Sequence, residues 1–430
     1  MIVLFGIFGR YRKEIHQDEL SSIAAISDIS ATYAMWVDIH TMIFVGFGFL
    51  MVFLKTHCWS SVGFNYLVAA WTVQCGVMFV SIAHGVMAPD GDMSHGIELD
   101  FGILVEGDFC AAACLITMGA LLGKTTFSQL FILVTFESIL YAVNAVLVLQ
   151  VLKCHDIGGA MTIHMFGAYF GLAASYFFEP NKAIEDKAER NKGSYMTQMV
   201  AMIGTLFLFI YWPSFNAILA GGIDQHWAIV NTLLSISTST IVGCSVAFLH
   251  LGKFEMEVML NATLAGGVIM GAAADIIASN PAWVMLAGAI AGAISAAGYI
   301  WLNNLCKTKL RLHDTCGVHY LHAIPGVLGS ITCCFAILHG ESVFDEKEQQ
   351  AHFPWHFGEN GRSYGYQAFM NFIGILVTFG IAIASGALFG FLVGKMPMPE
   401  EQFDDTKNFV HVEFGDDTSK YNVSASTEAH

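Results

Sequence analysis

Residues 155–171 read HDIGGAMTIHMFGAYFG, and residues 313–329 read HDTCGVHYLHAIPGVLG. His, Asp, Gly, His and Gly recur at one spacing: His155/His313, Asp156/Asp314, Gly159/Gly317, His164/His322 and Gly171/Gly329. Each pair is offset by the same 158 residues that separate His164 from His322. Both stretches are otherwise apolar enough to sit in lipid, where an ionisable group is costly and marks a functional site by default. A lone histidine there can equally be a packing residue satisfied by its neighbours. Two at matching positions of a repeat shift the balance toward function.

The chain has 430 residues, of which 55% are hydrophobic and 13% charged, and its mean hydropathy is +0.59. Soluble domains carry about 25% charged residues, so the balance is that of a polytopic membrane protein. The 42 glycines suit membrane helices whose backbones approach closely, GAIAG (Gly288, Gly292) and GALFGFLVG (Gly386, Gly390, Gly394) among them. A net charge of −16 argues against a nucleic-acid partner, which needs a basic surface. The ten cysteines form neither a disulfide framework nor a CxxC metal pattern.

A helix needs about 20 apolar residues to cross the hydrocarbon core. Eleven segments qualify, beginning near Trp36, Ser61, Phe101, Phe127, Ile157, Met196, Trp227, Met256, Pro281, Cys316 and Tyr364. Ahead of them MIVLFGIFG (1–9) is only half a span: the end of a truncated helix, an interfacial piece or the stub of a signal segment. Lysine and arginine in alternate loops set the orientation. One set holds Lys55, Lys124, Lys182, Lys187, Arg190, Lys192, Lys253, Lys307, Lys309, Arg311 and Lys395, the other only Lys153, Lys347 and Arg362. The first set, and with it the acidic, mobile tail 395–430, is expected in the cytoplasm; Arg10, Arg12 and Lys13 count the other way. The outside loops carry Asp90, Asp92, Glu98 and Asp100, then Glu341, Asp345, Glu346, Glu348 and Glu359. Acidic mouths raise the local cation concentration, though such charges also simply solvate loops.

Asp156 then begins the fifth span from outside and Asp314 the tenth from inside. Five crossings separate them, so the two halves form an inverted repeat, whose transport sites lie at the midplane. Each histidine follows its aspartate by eight residues, about 12 Å of helix rise, so both reach the middle of the membrane and should meet. The aspartates read first as caps on helix N-termini. A bare cation at mid-membrane is costly, whereas a histidine pair can hold or relay a proton. That suits a small species that enters charged and crosses neutral. A metal fits poorly, because HxxxH spacing and nearby carboxylates are missing.

MIFVGFGFLMVFLK (42–55), MTIHMFGAYFGL (161–172), MIGTLFLFIYWPSFN (202–216), NATLAGG (261–267) and HDTCGVHYLHAIPG (313–326) resemble the Rh glycoproteins. These form the animal-type branch of the ammonium transporter (Amt/Mep/Rh) superfamily, and the likeness runs from about Asp38 to about Phe414. It implies an all-α membrane protein of 11 transmembrane helices plus the partial N-terminal one, an inverted 5+5 repeat with a central pore in each subunit of a homotrimer. Residues 1–35 are then the partial helix and an outside segment. The transporter domain is 36–394, with halves of about 36–178 and 196–338 and a last helix 364–394, and 395–430 is the cytoplasmic tail. The resemblance makes His164 and His322 the conducting pair and Phe109 and Phe215 the gate. Asp156 and its mate Asp314 serve recruitment or pore structure. The implied function is passive movement of ammonium/ammonia across the plasma membrane, with NH4+ deprotonated and NH3 conducted. The implied protein is no enzyme and has no cofactor; carbon dioxide remains a variant cargo.

This chain departs from the family pattern in two places. Related proteins have a full extra N-terminal helix. Related pores also often place a glutamate after the asparagine of AVN, where this chain has Asn144–Ala145, with Glu137 eight residues back. Two rival readings are a non-transporting scaffold subunit, whose relatives tend to lose the twin histidines, and an ammonium sensor whose tail docks a cytoplasmic partner.

Overall fold

A computed structural model describes residues 1–11, 23–89, 91–92, 96–178, 192–344, 349, 353, 361–399, 401–410 and 412. The basic residues Arg12, Lys13, Lys182, Lys187, Arg190 and Lys347, the loop acids Asp90, Asp345, Glu346, Glu348 and Glu359, and the tail beyond 412 lie outside the described residues.

The eleven expected segments are all helical. A short α1 (Ile2–Phe8) comes first, and α2 (Ile23–Thr41) runs on through irregular turns to Phe53. Next come α3 (Cys58–Met87), α4 (Phe101–Leu121), α5 (Phe127–Ala145) and α6, a wide π turn Ala160–Met165 leading into Phe166–Ser175. The second half holds α7 (Tyr195–Ala217), α8 (Gly222–Leu251), α9 (Met256–Met270), α10 (Pro281–Ala297) and α11. The last again begins in a π turn, His319–Ala323, before Ile324–Val343. α12 (Tyr364–Val393) closes the bundle. Among the described residues nine helical stretches are long and apolar enough to cross a membrane.

The other two, α6 and α9, are shorter than the sequence suggests, for one reason. Gly158 and Gly159 turn the chain before α6, while the helix of α9 unwinds into turns after Met270. Such irregular backbone is tolerated in a membrane protein only where protein satisfies its polar groups. Here the Asn231 amide donates to the carbonyls of Ala274 and Ile277, at 2.8 and 2.7 Å.

The repeat shows in the backbone itself. Lys153 and Arg311, 158 residues apart, both take φ of 56°, and Gly159 and Gly317 take 69° and 73°. At Gly167 an added Cβ would lie 2.4 Å from the Ala113 carbonyl, and at Gly386 2.3 Å from that of Phe170. Side-chain-free positions are what let α4, α6 and α12 touch. Outside, Phe369, Phe372, Leu376 and Phe379 stand exposed along α12, an apolar stripe for lipid or another subunit.

At one end β1 (Gly9–Tyr11) pairs in parallel with β2 (Ile97–Leu99). Arg10 therefore lies on the face opposite the tail, where the charge count finds it out of place. The tail departs from the mobile chain that its composition predicts, because residues 402–405 are buried. The Asp405 carboxylate accepts from the amides of Trp59 and Ser60, both at 2.8 Å, and so caps the start of α3. The Phe403 amide donates to the Gly123 carbonyl at 2.8 Å, and Phe409 packs near Phe64 and Trp59. Burial of His57 beside this clamp pushes its imidazole down to about 4, outweighing the attraction of Asp405. Burial likewise lowers the Lys124 ammonium to about 7; it donates to the His313 carbonyl.

Candidate conduction site

The π turns set the site. Each widens its helix just where a histidine faces inward, His164 on α6 and His322 on α11. The two imidazoles meet: their Nδ1 atoms are 3.2 Å apart and the rings stack at 5.2 Å and 13°. Both are buried, 1% and 2% exposed. One Nδ1–H donates to the other Nδ1, so one ring presents a bare Nε2 and the other an Nε2–H. Exchanging tautomers reverses that polarity without adding charge. His164 Nε2 has no hydrogen-bond partner among the described residues.

Around the pair runs a column of rings. Phe109 on α4 and Phe215 on α7 are 4.8 Å apart, and Phe215 lies 5.7 Å from His164. Trp212, one turn before Phe215, stacks on His164 at 5.5 Å and 26°. On the other side Phe47 stacks on His322 at 6.3 Å and 20°. Gly267 seats the indole, since a Cβ there would come within 2.5 Å of it. Sequence reasoning did not single out Trp212 or Phe47. The first had a signal, three residues before Phe215 on the same helix face; the second had none, because its ring is placed by the π turn at Met42–Gly46.

Asp156 and Asp314 lie off this line. The Asp156 carboxylate accepts from the amides of Met161 and Thr162 and from the Thr162 hydroxyl, at 3.2, 2.8 and 2.9 Å. Asp314 accepts from the amides of Gly317, Val318 and His319, at 3.0, 3.0 and 2.8 Å. Both hold the first turn of the helix that carries a central histidine. Burial raises Asp314 above the usual carboxylate range, against those amides.

Glu137 does not take the place of the missing mouth glutamate. It is buried in α5, where the Thr117 hydroxyl donates to it at 2.6 Å. Glu106, three residues before Phe109, lines a cavity of about 420 Å³ with Asp92, Glu98, Asp100 and His84.

A bundle of apolar-surfaced helices around a buried, ring-lined pair of imidazoles has the architecture of a multi-pass membrane transport protein. The sequence profile of the Ammonium Transporter Family matches residues 11–415, and the chain belongs to that family. It is 39% identical to ammonium transporter Rh type B-A of Xenopus laevis over 408 residues, 92% of this chain and 86% of that protein. To Rh type C of Gasterosteus aculeatus it is 38% identical, with 94% and 84% covered. The solved structure of Rh50 from Nitrosomonas europaea, described as one of the Rhesus family of channels, superposes with a TM-score of 0.76 at 28% identity. That match covers 92% of this chain and 96% of the other.

Proposed function

We propose that this protein is a passive conduit for ammonium and ammonia, and that His164 and His322 carry the substrate through its middle. NH4+ collects at the acidic mouth around Glu98, Asp100 and Glu106 and sheds water against Phe109 and Phe215. It leaves its proton on the outer side and crosses as NH3 along the imidazole edges. Charge is the reason: a cation at mid-membrane is penalised, while NH3 is neutral and can both donate to and accept from the pair. Sodium and potassium are turned back because rings cannot replace their water. Asp156 and Asp314 act chiefly by holding the two π turns. The observation that carries this reading is the Nδ1–Nδ1 contact of 3.2 Å inside the aromatic column.

The assembly is a homotrimer in the plasma membrane, with the lysine-rich face and the tail in the cytoplasm. The exposed apolar stripe of α12 and the loop charges support this. Labelled methylammonium uptake tests the function in cells without transporters of their own. Uptake above that of untransformed cells, saturable by ammonium, is expected; background uptake by correctly delivered protein would refute it.

A further inference from the structure

The inner half of the track, on the tail face, holds a polar group that the conduction reading does not use. Beyond His322 lies a cavity of about 30 Å³ lined by Phe47, Glu257, Asn261, Tyr299, Cys316 and His322, among others. Roughly 10–15 Å³ suffices for one water-sized guest. Glu257 sits in the first turn of α9, where an acid ordinarily serves the helix end. That role is already taken, because Glu255 caps α9 by accepting from the Val258 amide at 2.7 Å.

Glu257 instead turns to side chains. One carboxylate oxygen accepts from the Tyr299 hydroxyl, and the other from the Gln198 amide at 3.4 Å. Each oxygen keeps a second lone pair. Asn261, one turn along the same helix, lines the same cavity, is only 7% exposed, and makes no side-chain hydrogen bond among the described residues. Gly317, at φ of 73°, leaves room for both. A Cβ there would lie 3.1 Å from the Tyr299 ring and 3.4 Å from the Asn261 amide.

The geometry points to a second substrate site, for an ammonium-sized monovalent cation, between the Glu257 carboxylate and the Asn261 amide at the tail-face end of the track. NH4+ has four N–H donors and no acceptor. The site offers carboxylate lone pairs and an amide carbonyl, with a buried imidazole at its far end. Tyr299 and Gln198 position the carboxylate. This site receives ammonium approaching from the tail face, as the acidic mouth does on the other, and holds the NH4+ that forms when departing NH3 takes a proton from water on that face. It rests on the ammonium-conduit reading.

The test is flux in vesicles with the protein in known orientation, at zero potential and equal pH, as half-saturating ammonium from each face. For Glu257→Gln the tail-face value should rise about ten-fold, as expected for losing one charge-assisted hydrogen bond, with the opposite face within about two-fold. Tyr299→Phe should shift the same face by less, and Glu257→Asp should recover part of the loss. Low-concentration permeability stays equal in the two directions, as passive transport requires. An equal change at both faces in both variants, or no change, would overturn the site and leave Glu257 a packing residue. Wild-type flux no faster than that of empty vesicles would instead refute the conduit reading.

Discussion

Histidines 164 and 322 can be paired from the sequence because polar residues in lipid-facing helices are few and their spacing is exact. What the spacing cannot give is the contact itself. That depends on the π turns, which turn the side chains inward to within 3.2 Å. Removing one imidazole leaves its mate buried without a partner, a loss of about 1–3 kcal/mol. His164→Ala is therefore expected to cut methylammonium uptake by about ten-fold or more while leaving surface expression intact. The aspartates separate two roles that sequence alone leaves open. Asp156→Ala strips an acceptor from the amides of Met161 and Thr162 and should cost about 1–3 kcal/mol, seen as earlier thermal unfolding in detergent. Asp156→Asn keeps an acceptor oxygen and should come close to wild type in both stability and flux. A large flux loss in a fully stable Asn variant would instead assign Asp156 to recruitment. Glu257 escaped sequence reading altogether. It is one of many loop-proximal acids, and only the fold brings it beside Asn261 and Tyr299.

At the scale of elements, the helical class and the order of the apolar segments were legible because apolar length is a strong signal. Helix ends were not, and nine of the eleven segments form stretches long enough to span among the described residues. The unwound turn after Met270 reads as continuous apolar sequence, and only its hydrogen bonds from Asn231 reveal it. Glycine spacing signals packing but not the partner helix, which is Ala113 on α4 for Gly167. Gly167→Val should force α4 and α6 apart, costing about 1–3 kcal/mol and lowering the yield of monodisperse protein. The docked stretch 402–409 was hidden by its acidic composition, since Asp405 acts there as a helix cap rather than as a solvated charge. His57 gives this clamp a pH dependence. Its folded value, about 4, lies below the usual 6.5 because burial disfavours the cation. Between those values the unfolded chain binds a proton that the folded one does not, so stability falls as pH drops from about 6.5 to 4 and levels off below. Among the charged groups facing it, Asp405 and Asp404 oppose that shift without cancelling it. Protection factors for amide exchange at Trp59 and Ser60, each referred to the intrinsic rate at its own pH, should fall as pH drops across that window, and His57→Phe should flatten the response. An unchanged response in the variant would move the effect to another group.

For the whole molecule, the inverted repeat explains how a pore arises from a sequence with a single strong internal likeness. Two halves of opposite direction each deliver one polar side chain to the same depth. The surface left over is apolar, and the charged loops gather at the ends. The central claim is that neutral NH3 crosses at the histidine pair, and internal pH in liposomes measures it most directly. After an inward ammonium gradient, NH3 that enters takes up a proton and the interior turns alkaline. Wild-type protein should alkalinise the interior faster than protein-free liposomes do, and the His164→Ala/His322→Ala variant should return the rate to theirs. Equal rates for wild type and empty liposomes would contradict the account, as would a double variant as fast as wild type.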